Sequence, residues 1–250
     1  MISVKSRRIG DGRRLAAIFA FLVLATWVGG PAFAGSFQVD PVSIELVPGR
    51  RTTEVNVTNQ GDQPVAIRVH LYRWTQQEGE DVYSETNELI ASPPIFTLPA
   101  NGRQLIRVGP RSGSVEGAFR VILEEIPGPA NDDSGIRVTL RINLPLYVIS
   151  DRRSRPSLTW SAWRNRNGEV NVEARNDGTL HSQIISIIAA GPNGQDTDLS
   201  SQMGVVLPSG GTKRWNVGTM PGLTVGSGLN LIIRNGNGEV SRSQISLVQR

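Results

Sequence analysis

From Ile136 to Leu144 the chain alternates without a break: Ile136, Val138, Leu140, Ile142 and Leu144 are large aliphatics, and Arg137, Thr139, Arg141 and Asn143 between them are polar. Successive side chains of a strand point to opposite faces, so this period of two specifies a strand with one wholly apolar face and excludes an amphipathic helix. Such a strand has two uses. It can be a core strand of a sandwich, its apolar face turned inward. It can also be an edge strand kept ready for another chain, joining a partner's sheet by main-chain hydrogen bonds while alternate side chains fill pockets. Ordinary proteins blunt a long apolar edge because it invites aggregation, so one left open is expected where its purpose is pairing. The leader Gly128-Pro129-Ala130-Asn131-Asp132-Asp133-Ser134-Gly135 would let the start of this strand project beyond its own sheet.

The rest of the chain after residue 35 has the same short-period character. Thr53-Glu54-Val55-Asn56-Val57 and Ile67-Arg68-Val69-His70-Leu71 alternate, and Gln60-Gly61-Asp62, Ala100-Asn101-Gly102 and Pro192-Asn193-Gly194 are turn signals. No stretch there keeps a helical period beyond two turns, which predicts an all-β fold. Val55-Asn56-Val57-Thr58-Asn59-Gln60-Gly61 is echoed by Val170-Asn171-Val172-Glu173-Ala174-Arg175-Asn176-Asp177-Gly178. Two immunoglobulin-like β-sandwiches in tandem would explain the echo, and each half has the usual size of such a domain. The polar run Ile149-Ser150-Asp151-Arg152-Arg153-Ser154-Arg155-Pro156 reads as a hinge. The expected organisation is therefore a segment 1–34, a first domain 35–148, a hinge 149–156 and a second domain 157–250.

Residues 1–34 read as a secretory signal peptide. Lys5, Arg7, Arg8, Arg13 and Arg14 precede the apolar run Leu15–Val28, and Ala32-Phe33-Ala34 supplies the small-residue cleavage pattern. The apolar run is shorter than the ~20 residues of a spanning helix, so no membrane span is expected once it is removed. Its removal takes five of the 26 Lys+Arg and one, Asp11, of the 22 Asp+Glu, leaving 21 against 21. A formally neutral chain gives no ground for nucleic-acid binding, which needs a dense phosphate-neutralising patch. Lys213 is then the sole lysine, so nearly all remaining positive charge is arginine, the residue suited to bidentate carboxylate capture. With no cysteine the chain has no disulfide and no thiolate chemistry.

Catalytic or metal chemistry finds little to work with. His70 and His181 are the only histidines, and neither has a ligand-spaced neighbour. Glu124 and Glu125 are adjacent on a strand and face opposite ways, so they cannot act as an acid/base couple. Gly226-Ser227-Gly228 and Gly236-Asn237-Gly238 lack the continuation that phosphate cradling needs and read as hairpin turns. Trp160, Trp163 and Trp215 are expected to pack in a core or between domains. Neither enzymatic activity, nor a cofactor, nor a metal site is expected.

Five segments in order carry a family resemblance: Phe37-Gln38-Val39-Asp40-Pro41-Val42-Ser43-Ile44-Glu45-Leu46; Tyr83-Ser84-Glu85-Thr86-Asn87-Glu88-Leu89-Ile90-Ala91-Ser92-Pro93-Pro94; Leu98-Pro99-Ala100-Asn101-Gly102 leading to Ile106-Arg107-Val108; Phe119-Arg120-Val121-Ile122-Leu123-Glu124-Glu125-Ile126-Pro127; and the alternating strand ending Leu144-Pro145-Leu146-Tyr147-Val148. Together they resemble the PapD-like periplasmic chaperones of the chaperone–usher pathway, in particular the archaic branch that includes spore-coat-U-type systems.

That resemblance implies a non-enzymatic role in fimbrium biogenesis and pilus assembly, in the periplasm. The alternating strand would be the donor strand, with Ile136, Val138, Leu140, Ile142 and Leu144 inserted into a pilus subunit that lacks its seventh strand. At about 1.5–3 kcal/mol per buried aliphatic, five positions would hold a subunit even after ordering costs. The implied partners are pilus subunits and an outer-membrane usher, and a free chaperone could cap its own exposed strand by self-association. Better-known members anchor the subunit's C-terminal carboxylate with a first-strand arginine and a lysine near the end of the donor strand. The matching positions here are Ser43 and Pro145, so another arginine is needed. Arg120 is the first candidate and Arg107 and Arg141 follow, with a solvated or intrachain-paired arginine as the alternative for each. The competing reading of the whole chain is a secreted structural or adhesive β-sandwich protein, such as a fimbrial subunit.

Overall fold

A computed structural model of the chain describes residues 37–112, 115–128, 138–191, 194, 196–200 and 204–250. The expected signal peptide, the leader 129–135 and Ile136 of the alternating strand therefore lie outside the described residues. Ten strands fill the first half: β1 Phe37–Asp40, β2 Ile44–Leu46, β3 Thr53–Asn59, β4 Val65–Gln77, β5 Glu80–Glu85, β6 Leu89–Ser92, β7 Ile95–Leu98, β8 Arg103–Pro110, β9 Gly117–Ile126 and β10 Arg141–Val148. They form two sheets, ordered β1-β3-β8-β6 and β2-β10-β9-β4-β5, with β7 also on β4. The opening segment crosses between them: β1 pairs antiparallel with β3, and after the cis Asp40–Pro41 peptide β2 pairs parallel with β10. Inward-pointing aliphatics of both sheets make the core with Phe119, among them Val55, Val57, Ile67, Ile106, Leu123 and Leu146.

Eight more strands fill the second half: β11 Leu158–Arg164, β12 Val170–Asn176, β13 Ser182–Ala190, β14 Asp196–Asp198, β15 Val205–Leu207, β16 Thr212–Gly218, β17 Gly228–Asn235 and β18 Val240–Gln249. Their hydrogen-bonded path runs β14-β13-β17-β18-β11-β12-β16, with β15 on β13. A separate core of Val170, Val172, Ile187, Leu207, Leu229, Leu231 and Leu247 lies within. Here too an opening strand reaches both neighbours, since β11 pairs antiparallel with β12 and parallel with the last strand, β18.

The sequence echo has a physical basis in two buried asparagines. Asn59, at the end of β3, donates from Nδ2 to the carbonyls of Gln63 at 2.8 Å and Pro99 at 3.0 Å, and its Oδ1 accepts from Gly61 N at 2.9 Å. Asn176, at the end of β12, donates to Leu180 at 2.7 Å and Pro208 at 3.3 Å and accepts from Gly178 N at 3.1 Å. The backbone agrees, because Asn59 N donates to Gly102 O and Asn176 N to Gly211 O, each at 2.9 Å. Both glycines must be glycines: a Cβ on either would stand within 2.8 Å of the ring of Pro99 or Pro208. Leu98-Pro99-Ala100-Asn101-Gly102 and Leu207-Pro208-Ser209-Gly210-Gly211 are thus one motif used twice, a turn pinned from below by an asparagine that satisfies carbonyls which burial would otherwise orphan.

The two halves touch through one face of β4, β9 and β10. Tyr147 of β10 stacks on His181 with ring centroids 3.5 Å apart and planes 9° from parallel. Val206 packs against the small cluster of Trp74, Ala118 and Tyr147. Gln76 Nε2 donates to Val206 O at 3.0 Å, and Lys213 Nζ to Gly79 O at 3.4 Å. Among the described residues no helix is long and apolar enough to cross a membrane.

Candidate functional site

The alternating face of β10 runs out of the core as the strand is followed backwards. Val148, Leu146 and Leu144 are buried, Ile142 and Leu140 are only partly covered against the core, and Val138 is 59% exposed. One edge of the strand is taken by β9, from Arg141↔Glu124 to Val148↔Gly117. On the other edge β2 pairs only with Leu146–Val148, so from Arg141 to Pro145 that edge has no partner strand among the described residues. Leu140 is still guided along β9: its N–H donates to Glu125 Oε2 at 3.0 Å and its carbonyl accepts from Glu125 N at 2.9 Å. An unpaired main-chain edge and a row of half-covered aliphatics therefore coincide on one segment.

Arg120 stands beside this edge. Pairing places it opposite Pro145 on β10 and Tyr72 on β4, in the row that Ser43 continues one residue before the Ile44↔Leu146 pair. The arginine is thus one strand over from Pro145. Its guanidinium carbon lies 3.9 Å from the Trp74 ring centroid and 5.6 Å from that of Tyr83, a cation–π cage drawn from β4 and β5. Arg120 Nε is buried without a hydrogen-bond partner, as are Trp74 Nε1 and Gln76 Oε1 of the same sheet face. No carboxylate pairs with Arg120 among the described residues. Burial pushes the Tyr147 hydroxyl up to about 12, against the pull of the Arg120 charge, so this tyrosine stays a neutral wall of the site.

The other two candidate arginines are placed differently. Arg107 lies on β8 in the opposite sheet and pairs with Glu54 at 3.3 Å, both side chains more than half exposed. Arg141 is exposed at the start of β10, across from Glu124. Sequence alone does not single out Trp74, Tyr83 or Tyr147 as site residues. Trp74 and Tyr147 fall on the correct strand parity, but only the register β4–β9–β10 brings them to Arg120.

Among the tryptophans and glycine turns named above, Trp160 and Trp215 stack at 6.0 Å and pack on the second core, as expected. Trp163 instead faces outward beneath Arg214 and Arg250. Gly236-Asn237-Gly238 closes the β17–β18 hairpin, whereas Gly226-Ser227-Gly228 leads into β17 from a longer connection. No group of three His, Cys, Asp or Glu that could hold a metal occurs among the described residues.

Comparison with known proteins places this geometry. Residues 36–149 match the family model of the pili and flagellar-assembly chaperone PapD N-terminal domain. Among solved structures, the CsuC–CsuE chaperone–tip adhesion subunit pre-assembly complex from the archaic chaperone–usher Csu pili of Acinetobacter baumannii is similar at 18% identity. That match covers 85% of this chain and 99% of the other, with a TM-score of 0.63. The Salmonella enterica SafA pilin in complex with the SafB chaperone is similar at 14% identity, over 87% and 99%, with a TM-score of 0.56. The E. coli chaperone DraB is similar at 12% identity, over 87% and 98%, with a TM-score of 0.54. These likenesses carry the two-domain immunoglobulin-like fold across nearly all of the described chain. Over residues 36–149 the chain is therefore similar to the N-terminal domain of the pili and flagellar-assembly chaperone PapD.

Proposed function

We propose that the protein is a periplasmic chaperone of the archaic chaperone–usher branch, which holds pilus subunits by lending them β10 and its upstream continuation and passes them to an outer-membrane usher. The observation that carries this reading is the coincidence of an unpaired main-chain edge over Arg141–Pro145 with aliphatics that leave the core along Ile142, Leu140 and Val138. A strand in that state can complete the sheet of a subunit lacking one strand, and the free energy comes from burying those side chains and pairing the edge. Residues 35–148 would be the lending domain, 149–156 the hinge and 157–250 the second domain, with residues 1–34 removed on export. Arg120, caged and unpaired, is the group suited to hold the subunit's terminal carboxylate in place of the missing basic pair at Ser43 and Pro145. A free molecule would cap the same edge by self-association.

The test is co-purification from periplasmic extract with neighbouring secreted proteins co-expressed, comparing wild type with Val138→Asp/Leu140→Asp after circular dichroism has verified the fold. A small partner retained by wild type and lost by the folded variant is the expected result. Equal capture by both would make the segment a plain core strand and bring back the structural or adhesive reading.

A further inference from the structure

The arginine-rich run between the halves finds no use in the strand-lending site. It belongs to a larger charged pole at the end of the first sandwich where β2, β8 and β10 stop and β3, β6 and β9 start. Arg50 N donates to Val47 O at 3.2 Å, Arg111 N to Glu88 O at 2.8 Å and Ile149 N to Leu46 O at 2.9 Å. Ser150 Oγ donates to Glu116 Oε2 at 2.5 Å, and a Cβ on Gly109 would strike the Arg51 carbonyl. Segments 47–52, 86–88, 109–112, 115–116 and 149–156 therefore share this end, and they carry six arginines, Arg50, Arg51, Arg111, Arg152, Arg153 and Arg155, against three carboxylates.

All three carboxylates are already engaged. Glu88 is held by Arg73 of β4 at 2.5 Å, Asp151 by Arg153 at 2.9 Å, and Glu116 by Ser150 and Ser154. Arg111 Nε and Arg155 Nη1 donate only to main-chain carbonyls, and Arg50, Arg51 and Arg152 make no ion pair among the described residues. All six are exposed. Beyond residue 34 the chain carries 21 basic against 21 acidic residues, so this excess is a segregation of charge and not a reflection of net charge.

We infer that this pole is a docking surface for a carboxylate-rich protein partner. Arg111 and Arg155 are braced by main-chain carbonyls, which orients guanidinium groups suited to discrete carboxylates, while Arg153 already spends its fork on Asp151. Adsorption to a lipid surface would call for flanking aromatic or aliphatic groups, and within these segments Val47, 39% exposed, is the one large exposed aliphatic.

The experiment measures binding of the purified protein to immobilised poly-L-glutamate and, separately, to phosphatidylglycerol-containing phosphatidylcholine vesicles. Wild type binds poly-L-glutamate with an affinity that falls as salt rises, and Arg50→Glu/Arg51→Glu/Arg152→Glu weakens it by at least about tenfold. The charge-matched control Arg103→Glu/Arg234→Glu/Arg242→Glu, at exposed sites elsewhere, stays within about twofold of wild type. The milder Arg50→Gln/Arg152→Gln moves binding the same way by less, which guards against a folding defect in the triple variant. Equal losses in the reversal variant and its control, vesicle binding without poly-L-glutamate binding, or no binding to either would overturn the assignment.

Discussion

The last strands of the two halves, β10 and β18, occupy equivalent places and are built to opposite ends. Each closes its half by parallel pairing of its final residues with a strand of the opening segment: Leu146–Val148 with β2 in one, Leu247–Gln249 with β11 in the other. Each has an antiparallel neighbour on one side only for the residues before that. Going backwards, the inward face of β18 reads Leu247, Ile245, Ser243, Ser241, turning to serine where the core ends, while that of β10 reads Leu146, Leu144, Ile142, and the alternation stays aliphatic at Leu140 and the exposed Val138 ahead of the strand. Polar side chains on an open edge remove the apolar face that would reward unwanted pairing. The same architecture thus carries a polar edge in one half and an aliphatic one in the other, the contrast expected if β10 is lent to a partner.

The comparison is most directly broken by giving β10 the pattern of β18. Leu140→Ser/Ile142→Ser is expected to weaken subunit capture by at least about a hundredfold, because each aliphatic lost from a partner's groove forfeits about 1.5–3 kcal/mol. Both side chains are only partly buried in the free protein, so its urea midpoint should change little beside that of Leu146→Ala, whose fully buried side chain is worth about 2–5 kcal/mol. Pull-down read against chemical unfolding separates the two quantities. Capture that survives the serine pair would mean that the exposed aliphatics are incidental.

Where the halves agree, matched substitutions should agree as well. Asn59→Ala and Asn176→Ala each strand buried carbonyls that their amide satisfied, at a cost of about 2–4 kcal/mol apiece. Hydrogen exchange should place the loss near β3, β7 and β8 for the first and near β12, β15 and β16 for the second. A uniform loss over the whole chain in both variants would show that the halves unfold as one unit.

Arg120 sharpens the contrast from the side of binding. Arg120→Gln keeps a polar side chain but removes the charge, and a charge-assisted bond of about 1.5–3 kcal/mol corresponds to a loss in subunit affinity of roughly ten- to hundredfold. Arg107→Gln, which gives up only an exposed pair with Glu54, should leave affinity within about twofold. If the two variants bind alike, the terminal carboxylate is held elsewhere or not at all.

Much of this is legible in the amino-acid sequence. Period-two alternation over 136–144 finds the start of β10, Arg141–Leu144, because a strand's faces separate by parity alone, although Val138–Leu140 precede the strand and are not part of it. The Val-Asn-Val echo announces two like sandwiches because the asparagine and the Pro-x-x-Gly turn it pins are both local. What sequence does not carry is pairing between distant segments. The crossing from β1 to β2 and the parallel β11–β18 pairing depend on which edge is free once the sheets have formed. The surroundings of Arg120 come from three further strands, so its cage of Trp74 and Tyr83 appears only when the register is known. His181, unremarkable within a turn-rich stretch, is the clearest case: its importance lies in Tyr147, which belongs to the other half.

That stack predicts the smallest effect and bears on whether the halves are coupled at all. Burial holds His181 below its ordinary value of 6.5, outweighing Glu45, whose charge pulls the other way, and its Nδ1 is buried without a partner. The imidazole is therefore held neutral to lower pH in the folded protein than in the unfolded chain, which takes up a proton first as pH falls. The contribution to stability is complete above about 6.5, declines as pH drops below that value, and levels off once pH has passed the lower folded value. Urea midpoints measured from neutral pH to about 5 should fall more steeply for wild type than for His181→Phe, which keeps a ring against Tyr147 but cannot titrate. The remaining carboxylate titrations are common to both proteins and cancel in that difference. Parallel pH profiles would mean that the ring is free to leave Tyr147 when charged, and that the contact between the halves is looser than the 3.5 Å stack implies.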